Sequence, residues 1–157
     1  MKQLNQKTFR YAQINTGNIK EVFPLLCPVK EKDWIDGWDY KMIHSISGFI
    51  EKNCVFITDR HRGSETIWHV TQYDKKNNKI EFLRVTPKEN TVRINIQLEK
   101  IDKKTTKSYI SYMYTFLNEK DIEAKMSLIE QSFFDSMAYW EKAINHYLKT
   151  RKTLKKD

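Results

Sequence analysis

The chain contains few of the residues that cross-link a small fold or break its backbone regularity. Among its 157 residues there are 2 cysteines, 3 prolines and 4 glycines. Cys27 and Cys54 are too few for a disulfide framework, and they lack the spacing of a zinc site. We therefore expect both to be free thiols that act as small core residues. A bridge between them and a single reactive thiol are the alternatives.

Long apolar runs and enzyme motifs are also missing. No stretch approaches the ~18 apolar residues of a membrane-spanning helix, and residues 1–10 lack the apolar core of a signal peptide. We expect a soluble protein, with the cytoplasm as its default compartment. The motifs of nucleotide-binding enzymes, serine hydrolases and zinc proteases are absent as well. The sequence therefore suggests no metal ion and no cofactor, and it leaves the catalytic residues unassigned.

Positive charge is in excess, with a net charge of +8 and a pI near 9.4. Such a balance would suit nucleic acid or an anionic membrane. Half of this charge lies between Lys149 and Asp157, and other lysines sit in turns such as 75–76 and 103–104. We interpret these as solvated turns and a frayed basic tail, residues 151–157. We therefore expect no nucleic-acid partner, while contact with a membrane stays open.

Rings are abundant, because aromatic residues make up 13% of the chain. That content and the length predict one globular domain over residues 1–157, with a core of about 7–150. The last part, from Glu119 to about Lys149, predicts one amphipathic helix with Asn118 as its N-cap. Its apolar stripe consists of Ile122, Met126, Ile129, Phe133, Met137, Trp140, Ile144 and Leu148.

Alternating apolar and polar residues before that helix predict seven strands. Their expected ranges are 7–15, 40–47, 54–59, 65–73, 79–86, 91–101 and 106–117, with a short helix over 19–25 and another short helix within 27–38. Short turns, including one at 62–64, make the sheet antiparallel. The predicted class is α+β, with a curved seven-stranded antiparallel sheet wrapped around a long C-terminal helix and two short helices between strands 1 and 2.

This order of elements, together with several local segments, resembles the helix-grip fold of the SRPBCC or START-like superfamily. The segments are VFPLLCPVKEKDWIDGW (22–38), TIWHVTQYD (66–74), IEFLRVTP (80–87), YMYTFLNE (112–119) and YWEKAINHYLKT (139–150). They look like those of bacterial polyketide cyclase/dehydrase-like proteins, over roughly residues 7–150. The resemblance implies an apolar cavity between the sheet and the helix. Members bind lipids, sterols, polyketides, hormones or quinones, and some are enzymes; because they share no catalytic motif, none is transferred.

The residues that would line such a cavity come from the loop, the strands and the last helix. They are Trp34, Trp38, His44, His69, Arg84, Tyr112, Tyr114, Phe133, Met137 and Trp140. The alternative is that the rings fill a solid core, with the two loop tryptophans as a plug. Arg84 could hold a ligand carboxylate, form an internal ion pair, or face outward. His44 and His69 could meet across the sheet or be ordinary hydrogen-bonded histidines.

Three functions remain open at this point. The first is binding, transport or sensing of a hydrophobic small molecule such as a lipid, quinone, polyketide or aromatic acid. The alternative is a cyclase/dehydrase-like enzyme in which His44, His69, a tyrosine hydroxyl or Arg84 assists proton transfer. The third is an interaction module that uses the basic tail. Whether the chain is an enzyme, and whether it forms a homodimer, is left undecided.

Overall fold

A computed structural model describes residues 5–59 and 65–156. The elements are β1 (Gln6–Asn15), α1 (Ile19–Val22), a 3-10 turn (Phe23–Leu26), α2 (Pro28–Glu31), β2 (Tyr40–His44), β3 (Val55–Thr58), β4 (Thr66–Asp74), β5 (Lys79–Thr86), β6 (Asn90–Asp102), β7 (Thr105–Phe116) and α3 (Ile122–Thr150). This order confirms the predicted fold class. The turn predicted at 62–64 lies outside the described residues.

The strands form one antiparallel sheet in the order β1-β7-β6-β5-β4-β3-β2. Register shifts interrupt the β2–β3, β4–β5 and β6–β7 pairings, near Ile43, Thr71 and Ile101. Such bulges bend a strand and increase its local twist, so they let the sheet curve toward α3. On β6 and β7 the predicted inner positions are buried: Val92, Ile94, Ile96, Leu98, Ile110, Tyr112, Tyr114 and Phe116.

Polar side chains of α3 hold the edge strand β1. The Glu141 carboxylate accepts from the Tyr11 hydroxyl at 3.1 Å and from the backbone N–H of Ile14 at 2.7 Å. The Asn145 amide donates to the Ile14 carbonyl at 3.0 Å and accepts from the Thr16 N–H at 2.9 Å. These bonds satisfy backbone groups that an edge strand would otherwise expose. They also fix α3 relative to the sheet.

Helix α3 begins later than the sequence predicts. Its N-cap is Asp121, which adopts a left-handed conformation with φ 55° and makes no side-chain cap. Asn118 instead accepts from the backbone N–H of Lys120 at 2.9 Å. The predicted N-cap is therefore wrong, because the residues after β7 are used to turn the chain toward the helix.

The basic tail is ordered against the rest of the protein, so the expectation of a frayed end is wrong. Arg151 ends α3 in a left-handed conformation with φ 59°. Beyond it, Thr153 Oγ1 donates to the Asp33 carbonyl at 2.7 Å, and the backbone N–H of Lys156 donates to the Asp36 carboxylate at 2.9 Å. Backbone and side-chain hydrogen bonds, which the charge pattern could not reveal, fold this segment onto the loop after α2.

Candidate site on the inner face of the sheet

A cation lies on the inner face of the sheet, at the C-terminal end of β5. The Arg84 guanidinium group donates to the Tyr114 hydroxyl at 3.0 Å, and its carbon lies 5.3 to 5.7 Å from the ring centres of Trp68, Tyr112 and Tyr114. Within 5–59 and 65–156 no carboxylate is in ion-pair distance of Arg84. Aromatic ring faces, and not a carboxylate, therefore contact the Arg84 cation. Several N–H donors of the guanidinium group stay free for an acceptor.

The Trp68 ring beside this cation is held in a fixed orientation. Its indole N–H donates to Thr58 Oγ1 at 2.9 Å. The ring stacks on Phe56 with centroids 5.3 Å apart and meets the Phe82 ring edge-on at 5.8 Å. Strands β3, β4 and β5 therefore position one aromatic wall together, and Arg84 lies against it.

Glu31, the last residue of α2, is a buried acid. Glu31 is only 7% exposed. Burial raises the pKa of Glu31 well above its usual range, because an apolar environment solvates a carboxylate poorly. The neutral acid, which can donate a hydrogen bond, is thereby favoured.

Local sequence explains why this acid points inward. Pro28 starts α2 at a position where its missing N–H costs nothing. Backbone N–H groups of Glu31 and Ile35 then donate to the carbonyls of Cys27 and Glu31, at 2.9 and 2.8 Å. Cys27, Glu31, Trp34 and Ile35 fall on one helical face, and all four are buried. Sequence analysis missed Glu31, although an acid in that apolar spacing was a usable signal.

Tyr112 is a buried phenol on β7 whose ring lies beside the Arg84 guanidinium group. Tyr112 is 5% exposed. Burial raises the pKa of Tyr112, the positive charge of Arg84 opposes that rise, and Tyr114 and Glu31 add to it. Burial therefore favours the protonated phenol.

Several apolar side chains pack on the main core and yet stay partly exposed. They include Trp38, Tyr40, Met42, Trp68, Ile122, Met126 and Ile129. Trp38 is fixed by its indole N–H, which donates to the Pro28 carbonyl at 2.9 Å, and by stacking on Tyr40 at 6.2 Å. Met126 and Ile129 come from the first half of α3. We call these seven residues, which belong to a larger set packed against the core, the apolar rim.

The predicted cavity residues separate into groups. Arg84, Tyr112 and Tyr114 come together on the inner face, while Phe133 and Met137 belong to the main buried core. Trp34 belongs to a second cluster with Leu25, Ile35, Ala143 and Ile144, and Trp140 packs edge-on against Trp34 at 5.6 Å and also against the main core. The indole N–H of Trp34 donates to the Leu25 carbonyl at 2.8 Å. Of the two loop tryptophans, Trp34 is a plug and Trp38 is part of the rim.

The two strand histidines lie away from the interior, which corrects their predicted placement. His69 is exposed beside inward-facing Trp68 and Val70, and its ring lies 3.3 Å from the Asn53 side-chain oxygen. His44 is exposed at the end of β2, where the bulge interrupts pairing with β3. Both histidines are exposed, so neither belongs to the buried inner face.

Two grooves lie outside the interior. One, of about 370 Å³, crosses the outer face of β1, β7 and β6 and includes Arg10, Asn95 and Tyr109. The other, of about 750 Å³, is an open surface near the end of α3 that includes Lys142, His146 and Leu154. Neither groove contains Arg84, Tyr112 or Glu31.

Other chemical features are limited. Cys27 and Cys54 are free and buried, as predicted, and burial raises the pKa of the Cys54 thiol to about 11. Among the residues described, no group of three or more His, Cys, Asp or Glu side chains could hold a metal ion. Within the same residues, no helix has the length and apolar character needed to cross a bilayer.

Similar proteins were found by structure and not by sequence. No protein-family model and no curated protein sequence matches the chain. The Zhui aromatase/cyclase from Streptomyces superposes with a TM-score of 0.73 at 7% identity, covering 93% of this chain and 95% of that one. Norcoclaurine synthase from Thalictrum flavum gives 0.68 at 11%, covering 92% and 87%. A hypothetical protein from Helicobacter pylori gives 0.73 at 12%, covering 90% and 87%.

These identities are too low to transfer an activity, while the coverage extends over nearly the whole of each chain. The elements of this chain are a seven-stranded curved sheet, short helices after β1 and the long α3. The chain has the helix-grip fold, and the resemblance noted in the sequence is confirmed at the level of fold.

Proposed function

We propose that this protein binds a hydrophobic small molecule between the inner face of the sheet and α3. The observation that carries the proposal is the apolar rim, whose side chains pack on the core but remain partly exposed. Apolar surface that a domain leaves uncovered next to its own core is typical of a ligand site. The solved structures with the same fold include an aromatase/cyclase and norcoclaurine synthase, whose names indicate small-molecule substrates.

The energy available from such a surface is adequate for micromolar binding. A ligand that removes ~400 Å² of apolar surface from water gains ~10 kcal/mol at ~25 cal/mol per Å². Loss of translational and rotational freedom consumes several kcal/mol of this gain. Ring-bearing ligands fit best, because Trp38, Tyr40 and Trp68 offer flat faces.

Arg84 adds a preference for ligands with an acidic group. Its guanidinium group lies against three rings and has no carboxylate partner among the described residues. A charged group in apolar surroundings gains from an anionic partner, and the guanidinium geometry suits a carboxylate. An aromatic acid would place its rings on the rim and its carboxylate at Arg84.

A cyclase-like enzyme is the second candidate, because one specific observation favours it. Glu31 is a buried acid whose raised pKa favours the protonated form, as general acid catalysis requires. In that case Glu31, and not either histidine, would be the proton donor. Turnover abolished by Glu31→Gln, with ligand binding retained, would separate this candidate from simple binding.

The test is a fluorescence titration with N-phenyl-1-naphthylamine, a neutral apolar dye, followed by native mass spectrometry of freshly purified protein. Saturable dye binding and a bound molecule that extracts into organic solvent are expected. Two variants on α3 locate the site: Met126→Lys on the rim, and Leu128→Lys, whose side chain is 73% exposed.

We expect Met126→Lys to weaken dye binding about tenfold or more, because a charged group would occupy apolar surface. Leu128→Lys should bind as the unaltered protein does. Equal affinity of all three proteins for the dye would refute the interior site. Circular dichroism of each variant verifies that loss of binding is not loss of fold.

A further inference from the structure

Large apolar side chains are exposed on the loop that joins β2 to β3, residues 45–54, which we call the β2–β3 loop. Ile46 is 86% exposed and Phe49 is 51% exposed, and Ile43 near the end of β2 is 50% exposed. Single apolar residues at a surface are ordinary, but these three lie within residues 43–49. A cluster of this kind is typical of a surface that contacts a second apolar phase.

Side-chain hydrogen bonds give the loop a fixed shape. The Glu51 carboxylate accepts from the backbone N–H of Ser47 at 2.7 Å and from the Ser47 hydroxyl at 2.6 Å. The Ser45 hydroxyl donates to the Phe49 carbonyl at 2.6 Å and accepts from the backbone N–H of Gly48 at 3.0 Å. The backbone N–H of Phe49 donates to Ser47 Oγ at 3.1 Å. Polar groups of the loop thus bond to each other, while its apolar side chains stay exposed.

The second half of the loop is attached to the core. Ile50 is only 7% exposed and belongs to the main core cluster. The backbone N–H of Asn53 donates to the Val70 carbonyl at 2.7 Å, and the backbone N–H of Val70 donates to the Cys54 carbonyl at 2.9 Å. A loop that is already ordered loses little conformational entropy when it docks, so its apolar surface is available for binding.

The chemistry of the loop fits a lipid bilayer. Backbone groups that enter the apolar boundary of a bilayer need hydrogen-bond partners within the protein, and the N–H groups of Ser47, Gly48 and Phe49 have them. Lys41, on the same face of β2 as Ile43, is exposed, and so is Lys52. Lysines beside apolar residues can reach lipid phosphates while the apolar side chains enter the acyl region. This charge selects a membrane that carries anionic lipids.

We propose that the β2–β3 loop docks the protein on an anionic lipid bilayer. Ile46 and Phe49 enter the apolar boundary, and Lys41 and Lys52 contact the lipid phosphates. This surface lies outside the interior between the sheet and α3, so the inference goes beyond the proposed function and does not depend on it.

The test is co-sedimentation of the full chain with vesicles, made of phosphatidylcholine alone or of equal parts phosphatidylcholine and phosphatidylglycerol. Ile46→Asp changes the tip of the loop, and Leu128→Asp is its matched control at a leucine of α3 that is 73% exposed. Lys41→Gln removes a lysine beside the loop, and Lys152→Gln is its control in the basic tail, where the side chain is also exposed. Each substitution lowers the net charge by one, so differences among the variants report position and not total charge.

We expect the unaltered protein to bind the mixed vesicles about tenfold more tightly than phosphatidylcholine alone. Ile46→Asp should weaken binding to the mixed vesicles about tenfold or more, because it replaces an apolar side chain with a charge. Lys41→Gln should weaken it about fivefold, the effect of one lysine near an anionic surface. Both controls should change it less than about twofold.

Insertion of the loop is measured separately with a nitrobenzoxadiazole dye attached to a new thiol. The dye on Ile46→Cys should emit more strongly and at shorter wavelength when mixed vesicles are added. The same dye on Leu128→Cys should not respond. Cys27 and Cys54 are buried, so the new thiol is the one that reacts in the folded protein.

Three results would each overturn the proposal. The first is no binding of the unaltered protein to either kind of vesicle, and the second is equal vesicle affinity of Ile46→Asp and Leu128→Asp. The third is that Ile46→Asp alters self-association of the protein and not its vesicle binding, since the loop would then be a contact between copies of the chain. None of these results affects the interior ligand site, because the dye titrations test that site without vesicles.

Discussion

Replacing Glu31 with glutamine is expected to stabilise the folded protein at neutral pH, although it removes a residue of the proposed site. The folded protein holds Glu31 in a buried position that raises its pKa well above the usual range. The unfolded chain gives it an ordinary pKa near ~4.3. Above that pH the unfolded state releases a proton that the folded state retains, so ionisation of Glu31 favours unfolding.

The sign and the slope of this effect both follow from proton counting. Below about pH 4 both states keep the proton, and the variant and the unaltered protein should differ little in stability. As pH rises through the ordinary pKa of glutamate toward the raised pKa of Glu31, the advantage of the variant grows by ~1.4 kcal/mol per pH unit. It becomes constant above the folded-state pKa. For a domain of this size, a change of ~1.4 kcal/mol in the free energy of unfolding corresponds to ~3–6 °C in Tm.

Urea denaturation at a series of pH values between 4 and 8 measures this difference directly. Glu119→Gln is the control, because Glu119 is exposed and its removal should give no such slope. A stability difference for Glu31→Gln that stays constant between pH 5 and 7 would mean that Glu31 ionises normally in the folded protein. The role of Glu31 as a neutral proton donor would then lose its physical basis.

Further outcomes are expected from the other parts of the structure. Arg84→Met should weaken binding of 1-anilinonaphthalene-8-sulfonate about tenfold, because this dye carries an anion. Affinity for N-phenyl-1-naphthylamine, which has no sulfonate, should not change. An equal loss of affinity for both dyes would contradict this prediction. Trp34→Ala should lower the free energy of unfolding by ~3–5 kcal/mol. A double-mutant cycle with Trp140→Ala should give a coupling energy of ~0.5–1.5 kcal/mol for the edge-on ring pair. A coupling energy of zero would mean that the two rings do not stabilise each other. Truncation after Thr150 should lower stability by ~1–3 kcal/mol, since it removes the tail's hydrogen bonds to the loop after α2. Lys152→Ala should have almost no effect on unfolding, because its side chain is exposed; equal stability of the truncated and full-length chains would show that the tail is not held in solution.

The proposed site and the stability of the fold oppose each other in this protein. A buried acid with a raised pKa makes the fold less stable at neutral pH than a neutral residue of the same volume would. Natural proteins often break such local rules at functional sites. Glu31 is the clearest example, since it occupies a position on the buried face of the α2 segment.

Local periodicity determined most of the architecture from the sequence alone. Alternation on β6 and β7 and the three- and four-residue steps of α3 depend on the geometry of single elements, so these were predictable. Arg84 was correctly placed with Ile80 and Phe82 for the same reason. The short turns between strands also determined the antiparallel pairing.

Only the tertiary structure decided which face of an ambiguous strand turns inward. Each face of β4 carries an apolar residue, so either could have been the buried face. Trp68 and Val70 face the core, while Ile67 and His69 are exposed. Alternation separates two faces without saying which is buried, and the bulge near Thr71 then shifts the phase. The inward position of Glu31 likewise depends on α2 packing against the rest of the core, and the end of the tail depends on distant hydrogen bonds. Contacts between residues far apart in the chain settle such questions, because local spacing carries no information about them.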